Sequence, residues 1–338
     1  MREVFRQYFR LTDAEIVQLW EKGLFCFDAS ALLNVYGYSA EAREELVAFF
    51  EKYAERIRLP HQFGLEFCRN RRQVIVKQVS NYTAVETELK RIHAEHIETK
   101  RDHPYLSIEA RNAYNGILEE LEESRHAMEQ LIRSDPYCGR ILDVFEGRVG
   151  PEPTPEDLVR LHDEAKRRYD KRIPPGYADL KKKGVPQAYG DYIGWAQLME
   201  IAQGEKRGVI FVTDDFKGDW WYIEGTRTLG PNPELVKEFT HDCNELILFY
   251  NSESFLRAAK KLGAAEIRDF VIEEVTQRIE SQRQSDAPEG LKSVPSGTNI
   301  EDKQAPTREA EEKPIESLKP VVPPTPATGP NKLPSGGE

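Results

Sequence analysis

Residues 208–221 read GVIFVTDDFKGDWW, a short apolar run followed by Thr213 and two acidic residues. The run at 209–212 is β-branched and aromatic, which predicts a buried strand. Asp214 and Asp215 would then lie at the carboxyl end of that strand, where open α/β sheets bind their ligands. Neighbouring carboxylates repel each other, so a divalent cation is the simplest partner for them. The alternative is that one aspartate caps the next turn while the other faces water.

The composition indicates a globular protein with an acidic surface. The chain has 338 residues, enough for one large domain or two ordinary ones. Hydrophobic residues make up 39% of it, which permits a substantial core. The formal net charge of -11 argues against a surface coated with basic residues for non-specific binding of nucleic acid. A local basic groove is still compatible with that charge.

The cysteines and the first residues bear on the compartment. The four cysteines are scattered and form no CxxC pair, so we expect reduced thiols. The first 20 residues are amphipathic and lack the apolar core of a signal peptide. No apolar run approaches membrane-spanning length. These features predict a cytoplasmic protein with no membrane contact.

Three further carboxylates occupy positions comparable to the Asp214–Asp215 pair. Asp28 follows an apolar run at 24–27, Glu66 lies on a predicted helix after a short strand, and Asp191 opens another helix. Each has a simpler explanation: a helix cap for Asp28 or Asp191, and an i,i+3 ion pair with Arg69 for Glu66. Parallel strands end at one edge of a sheet, so we expect these carboxylates to converge there. Such a group predicts a site for Mg²⁺ or Mn²⁺, which prefer oxygen ligands.

The remainder of the chain supplies helices, one more strand and a polar tail. Apolar residues spaced three and four apart predict a long helical hairpin over 74–135. Residues 138–187 are expected to be a connector, 245–250 a strand and 252–282 closing helices. From 281 to 338 the chain is rich in Pro, Ser, Gly, Glu and Lys, which predicts disorder.

Several quoted motifs together resemble one known family. They are FDASALLNVY at 27–36, Glu66, YGDYIGW at 189–195 and FVTDDFKGDWW at 211–221, with a finer likeness in RYDKRIPPGYAD at 168–179. In order and spacing this set is similar to the PIN-like nuclease superfamily, and more closely to its bacterial branch with a long helical insertion. The resemblance covers roughly residues 20–250.

The resemblance implies a three-layer α/β fold with a central, mostly parallel sheet. A PIN-like domain over 1–280 would then contain 74–187 as a mostly helical insertion and connector. It also implies a divalent-metal-dependent nuclease that cleaves phosphodiester bonds with a metal-activated water, often in toxin–antitoxin or phage-defence systems. RNA is expected as substrate rather than DNA.

The same resemblance assigns roles to individual residues. The implied catalytic carboxylates are Asp28, Glu66, Asp191, Asp214 and Asp215. Of these, Asp28, Glu66, Asp191 and Asp215 would hold Mg²⁺ or Mn²⁺, although strand geometry equally allows Asp214 as the fourth ligand. Ser30 and Thr213 would orient ligands or water.

Two basic segments are candidates for binding the nucleic-acid backbone. Arg69, Arg71 and Arg72 follow Glu66, and the strip at 167–183 includes Arg172, Lys181 and Lys182. Within this strip, Tyr169 and Tyr177 would stack on unpaired bases. The alternative is that these are ordinary solvated charges on a helix and a loop.

Two other functions stay open at this point. A phosphatase of the haloacid-dehalogenase type also uses an aspartate at the end of a strand, but it requires a second aspartate two residues later, where this chain has Ser30. A non-catalytic adaptor would use the helical hairpin or the tail to bind a protein partner.

Overall fold

Four parallel strands form the centre of the protein. The computed structural model describes residues 1–98, 100–102, 104–225 and 227–286. Its strands are β1 (Leu24–Phe27), β2 (Ile57–Arg58), β3 (Val209–Val212), β4 (Trp221–Glu224), β5 (Arg227–Pro231) and β6 (Ile247–Tyr250). The central sheet has the order β2-β1-β3-β6, and all its neighbouring strands run parallel. This sheet confirms the predicted α/β class.

The strand order reverses between β1 and β3. From β1 the chain moves outward to β2, and later it returns to add β3 on the other side of β1. Open α/β sheets bind ligands outside the carboxyl ends of the strands at such a reversal. The register pairs Phe27 with Val212, so Asp28 and Thr213 emerge side by side at that edge.

Helices cover both faces of the sheet. The α-helices are α1 (Asp13–Lys22), α2 (Ala29–Asn34), α3 (Ala40–Lys52), α4 (His61–Ile92), α5 (Ile108–Arg133), α6 (Pro136–Phe145), α7 (Pro155–Asp170), α8 (Leu180–Lys183), α9 (Gly190–Glu205), α10 (Pro233–Cys243), α11 (Ser252–Lys261) and α12 (Asp269–Asp286). On one face, Phe25 packs on Trp20 of α1, Phe49 of α3 and Phe255 of α11. On the other face, rings of α4, α9 and α10 contact the sheet residues or one another. These layers follow from strands that are apolar on both sides.

The predicted helical hairpin is present, and its first helix is longer than expected. Helix α4 runs without interruption for 32 residues from His61, and α5 returns along it. The base of the hairpin is anchored in the core by Ile75, Met128 and Leu131. Along its length Arg125 pairs with Glu86, whose side chain is buried. Glu66 therefore lies on the same continuous helix as the first half of the projecting arm.

Two features differ from the sequence expectations. The two strands β4 and β5 form an antiparallel hairpin that the sequence did not predict. The 138–187 segment, expected as part of a mostly helical insertion and connector, contains most of α6 together with α7 and α8. Helix α12 continues to Asp286, so the polar tail does not begin at 281; the tail predicted beyond 286 lies outside the described residues. Within the described ranges, no helix has the length and apolar character needed to cross a bilayer.

Candidate metal centre

Three aspartates approach one another at the carboxyl edge of the sheet. Asp179, Asp191 and Asp215 each offer an oxygen, and these oxygens all lie within 4.8 Å of one another. Asp215 follows β3, Asp191 lies in the first turn of α9, and Asp179 immediately precedes α8. Across the described part of the chain, this is the one group of three or more potential ligands that meets such a distance. Asp28 and Glu66 lie outside it.

The carboxylate of Asp191 leaves part of its hydrogen-bonding capacity unfilled. Its Oδ2 is buried and finds no hydrogen-bond partner among the described residues. Burial and the carboxylate of Asp215 raise its pKa well above the ordinary value, against the opposing effect of Lys217 and Lys183. The alternative that Asp191 caps α9 is wrong, because Tyr189 occupies the cap position and no side-chain cap hydrogen bond forms. An unpaired, buried carboxylate oxygen is costly unless something positive binds it.

Two lysines balance part of the negative charge. Lys217 Nζ lies 2.5 Å from Asp215 Oδ2 and 2.8 Å from Asp179 Oδ1, and Lys183 contacts the other oxygen of Asp179. Burial opposes ionisation of Asp179, yet these two ammonium groups hold the pKa of its carboxyl below the ordinary value. Burial likewise opposes the charge on Lys217, but Asp215 and Asp191 outweigh it and raise the pKa of its ammonium group. Ion pairs through Lys217 therefore link Asp179 to Asp215.

The loop that carries Asp179 is held in place by Asp219. Asp219 is almost fully buried, and its Oδ2 accepts hydrogen bonds from the backbone of Gly176 at 2.9 Å and of Ala178 at 3.1 Å. Gly176 has a φ of 93°, and a Cβ there would lie 2.1 Å from the Tyr169 hydroxyl and 2.9 Å from Asp191 Cβ. This position therefore requires glycine. The PPGYAD loop and the TDDFKGDWW stretch thus build the site together.

Asp28 lies on the other side of Thr213 from the cluster. It caps α2 through the backbone N–H of Ala31, at 2.8 Å, and accepts hydrogen bonds from the hydroxyls of Ser30, at 2.7 Å, and Thr213, at 2.5 Å. The cap explanation is thus confirmed, and it leaves the ligand role open. Burial raises the pKa of Asp28 to about 7 despite these donors. Thr213 Oγ1 also accepts from the Asp215 backbone N–H at 3.2 Å, so it links Asp28 to the cluster.

Asp214 and Asp215 have different surroundings. Asp214 is buried, and three donors occupy its oxygens: the backbone and hydroxyl of Ser252, at 2.8 and 2.6 Å, and the amide of Asn34, at 2.7 Å. Its own backbone N–H donates to Ser30 Oγ. Burial raises the pKa of Asp214. Asp214 ties β3 to α2 and α11, whereas Asp215 faces the other two acids of the cluster. Of the alternative explanation, the turn cap is present, since Asp215 Oδ1 accepts from the Lys217 backbone N–H at 3.1 Å. The water-facing aspartate is not, since Asp214 is buried.

Glu66 lies against the start of α9. Its Oε1 accepts from Gln62 Nε2 at 2.7 Å, and a Cβ added to Gly190 would lie 2.3 Å from this oxygen. Both residues of the alternative Glu66–Arg69 ion pair are described, and no such pair forms between them. The carboxylate is therefore next to the backbone that carries Asp191. Its role as a ligand stays a prediction.

The basic candidates differ in solvent exposure and in whether they form ion pairs. Arg69, Arg72, Lys181 and Lys182 are exposed. Arg71 pairs with Asp135, and both side chains are largely buried. Arg172 is exposed and has a φ of 53°.

The proposed stacking by Tyr169 is wrong. Its ring is buried and its hydroxyl donates to the backbone carbonyl of Ala188 at 2.7 Å, so it cannot reach a base. Tyr177 is half-buried and packs against the apolar group that contains Tyr169, Tyr189 and Tyr192.

The sequence interpretation missed Asp179, Lys183, Lys217 and Asp219 as parts of the site. Asp179 and Lys183 stand four apart, a spacing that predicts an ion pair. Asp219 comes four residues after Asp215, in the segment that follows a buried strand. No spacing in the sequence indicates that Asp219 binds a loop about 40 residues earlier.

The donor set suits a hard divalent cation. The group consists of carboxylates alone and contains no histidine or cysteine. Carboxylate oxygens favour Mg²⁺ and Mn²⁺, which bind through few carboxylates and retain several waters. The unpaired Asp191 oxygen supplies a point where such an ion would be stabilised. The residues present therefore fit this group of metals.

Comparison with known proteins identifies the family. No curated protein and no solved structure matches the chain. A family described as a PIN like domain matches residues 24–235, which is more than half of the chain and includes every acidic residue of the candidate site. Proteins with this domain are in general metal-dependent nucleases, so nucleic acid is the substrate class that the family indicates. The chain belongs to the PIN-like domain family.

Proposed function

We propose that this protein is a Mg²⁺- or Mn²⁺-dependent endonuclease that cleaves phosphodiester bonds, with RNA as its preferred substrate. The observation that supports this most directly is the cluster of Asp179, Asp191 and Asp215 with its unpaired, buried Asp191 oxygen. The choice of RNA rests on the motif resemblance. The setting we propose is the cytoplasm, with a role as a toxin or as an effector of phage defence.

In this proposal Asp28, Glu66, Asp191 and Asp215 hold the metal, and Asp179 joins them at the cluster. A bound divalent ion of this kind supplies an activated water and stabilises the developing charge on phosphate oxygens. The chain itself orients the ligands. Thr213 fixes one oxygen of Asp28 and the backbone of Asp215, and Ser30 fixes the other Asp28 oxygen. Asp214 has its acceptor positions filled, so we give it a positioning role.

The decisive experiment is cleavage of labelled single-stranded RNA and DNA by the purified full chain with Mn²⁺. We expect cleavage that EDTA stops, and that Asp28→Asn, Asp191→Asn and Asp215→Asn each reduce at least about a hundredfold. Asp163→Asn changes an exposed aspartate on α7 and serves as the matched control. Cleavage that survives both EDTA and Asp28→Asn would show that the assignment is wrong.

A non-catalytic adaptor is the second candidate, and the projecting α4–α5 arm favours it. Helix α4 extends for 32 residues with mostly exposed side chains beyond its base, a form suited to binding a protein partner. An adaptor would show no carboxylate-dependent binding of Mn²⁺ by calorimetry and no change of melting temperature on adding it. Binding that Asp191→Asn abolishes would reject this candidate.

A further inference from the structure

Lys217 occupies the space between two carboxylates of the acidic cluster. Its ammonium group lies within 2.8 Å of Asp179 and 2.5 Å of Asp215. Lys183 contacts only Asp179 within the cluster. Two ammonium groups therefore face three carboxylates. The ammonium group of Lys217 bridges Asp179 and Asp215, and a cation bound between these two residues would need the same oxygens.

A divalent cation at Asp215 and the Lys217 ammonium group compete for the same oxygen. Both are positive, so they repel each other strongly at this distance in a poorly solvated site. Lys217 has the means to leave, since its flexible stem carries the charge and 31% of its side chain is exposed. Asp179 would keep Lys183 as its counter-ion after that departure.

We propose that Lys217 is displaced by the metal and becomes a phosphate-binding residue. Without a divalent cation it holds the acidic cluster together; with one bound, its ammonium group turns to a non-bridging oxygen of the scissile phosphodiester. This inference rests on the proposed nuclease function and adds a residue outside the predicted carboxylates.

Lysine suits a phosphate contact. Its ammonium group is a compact point charge on a flexible stem, and such a group binds phosphate oxygens well. Lys217 stands two residues after Asp215, so its ammonium group stays next to the acidic cluster after it leaves that carboxylate. The inferred ligand is an internal phosphodiester of a nucleic-acid chain, the substrate class of the proposed function.

The test measures metal affinity and RNA affinity separately in the full chain. For Lys217→Met we expect Mn²⁺ to bind about tenfold more tightly by calorimetry, because its competitor is gone. We expect a single-stranded oligoribonucleotide to bind about tenfold more weakly by fluorescence anisotropy in Ca²⁺, because a charged hydrogen bond is lost. Lys217→Arg retains the charge and should keep more of the RNA affinity than Lys217→Met.

Lys22→Met provides the matched control. Lys22 is exposed at the end of α1, just before β1 and thus at the opposite edge of the sheet from the acidic cluster. Both affinities should equal those of the wild type. A larger rise of melting temperature with Mn²⁺ in Lys217→Met than in the wild type would show that this variant is folded and binds metal more tightly.

Two results would overturn the inference. An unchanged or weaker Mn²⁺ affinity in folded Lys217→Met refutes displacement, and an unchanged RNA affinity refutes the phosphate contact. If the wild type binds and cleaves RNA with Mn²⁺ while Lys217→Met equals it in both affinities, this inference alone fails. If the wild type binds no Mn²⁺ and cleaves nothing, the proposed function fails with it.

Discussion

Asp214 and Asp215 are adjacent in sequence, and their surroundings predict opposite consequences of the same substitution. Asp214→Asn puts an amide NH₂ group against donors on Ser252 or Asn34, so we expect the free energy of unfolding to fall by about 2 kcal/mol. Asp215→Asn should lower stability less than Asp214→Asn does, because it removes the ion pair with Lys217 and at the same time relieves the repulsion between Asp215 and Asp191. It should also abolish Mn²⁺ binding. Urea unfolding and Mn²⁺ calorimetry measure the two effects.

The outcome decides which of the two aspartates is the ligand. If Asp214→Asn is as stable as the wild type and loses Mn²⁺ binding, Asp214 is a ligand and its hydrogen bonds are incidental. Ser252→Ala removes one of the donors to Asp214 without changing its charge, and it serves as the control for the stability effect.

The buried carboxyl of Asp28 predicts a pH dependence of stability in the metal-free protein. Burial raises its pKa to about 7 in the folded state, above the ordinary carboxyl value near 4 of the unfolded chain. Between these two pH values the folded chain binds more protons than the unfolded chain does. The free energy of unfolding therefore falls as the pH rises from about 4 to about 7. Above the folded-state pKa this contribution no longer changes.

Asp28→Asn isolates that contribution. We expect the variant to gain stability relative to the wild type as the pH rises through this window, measured by urea unfolding in EDTA. Parallel stability curves for the two proteins would contradict the raised pKa. Asp163→Asn, on an exposed side chain, should follow the wild type.

Among the elements, the loop that carries Asp179 depends on one distant carboxylate. Asp219→Ala removes the acceptor for Gly176 and Ala178, so the loop should open more often. We expect native-state trypsin cleavage after Lys181 or Lys182 to accelerate about thirtyfold, since the two lost hydrogen bonds together contribute about 2 kcal/mol. Asp219→Asn retains an acceptor oxygen and should be cleaved more slowly than Asp219→Ala. Equal cleavage of all three proteins would show that Asp219 does not hold the loop.

This loop also shows what local sequence patterns can and cannot predict. Strands β1 and β3 were predictable because each is a continuous apolar run of four residues, with an acidic residue one or two positions after its end. The β4–β5 hairpin was not, because its residues after Trp221 are largely exposed and no apolar alternation marks them. The structural role of Asp219 arises from a contact that spans about 40 residues, and no spacing rule reaches that far.

The candidate site was also predictable only in part. Asp191 and Asp215 follow from the rule that ligands bind beyond the carboxyl ends of parallel strands. Asp179 belongs to a basic segment that composition assigns to a solvated connector, so its burial beside Lys183 and Lys217 depends on tertiary packing. Arg71 illustrates the converse, because its position in a basic run concealed its ion pair with Asp135.

For the whole molecule, the net charge sets how a polyanion can be bound. A charge of -11 disfavours the approach of nucleic acid, so binding must depend on a local basic path with its own salt dependence. The exposed candidates fall into two groups: Arg69 and Arg72 on α4, shortly after Glu66, and Arg172, Lys181 and Lys182, shortly before Asp191. Arg71 is a poor member of such a path, since phosphate would have to displace Asp135.

We therefore predict that Arg69→Glu with Arg72→Glu weakens RNA binding and reduces the slope of log affinity against log salt, because each lost phosphate contact lowers that slope by somewhat less than one. Lys181→Glu with Lys182→Glu should act in the same way. Mn²⁺ affinity should stay unchanged in both variants, because neither pair contacts the acidic cluster. Anisotropy titrations with a single-stranded oligoribonucleotide over a salt series measure the slope. Lys22→Glu with Lys206→Glu, at two exposed positions that precede β1 and β3, makes the same change in net charge and serves as the control. If the control weakens binding as much as the double variants do, the effect comes from total charge rather than from a path. If neither double variant changes the slope, the substrate follows another route, for which the α4–α5 arm is the next surface to test.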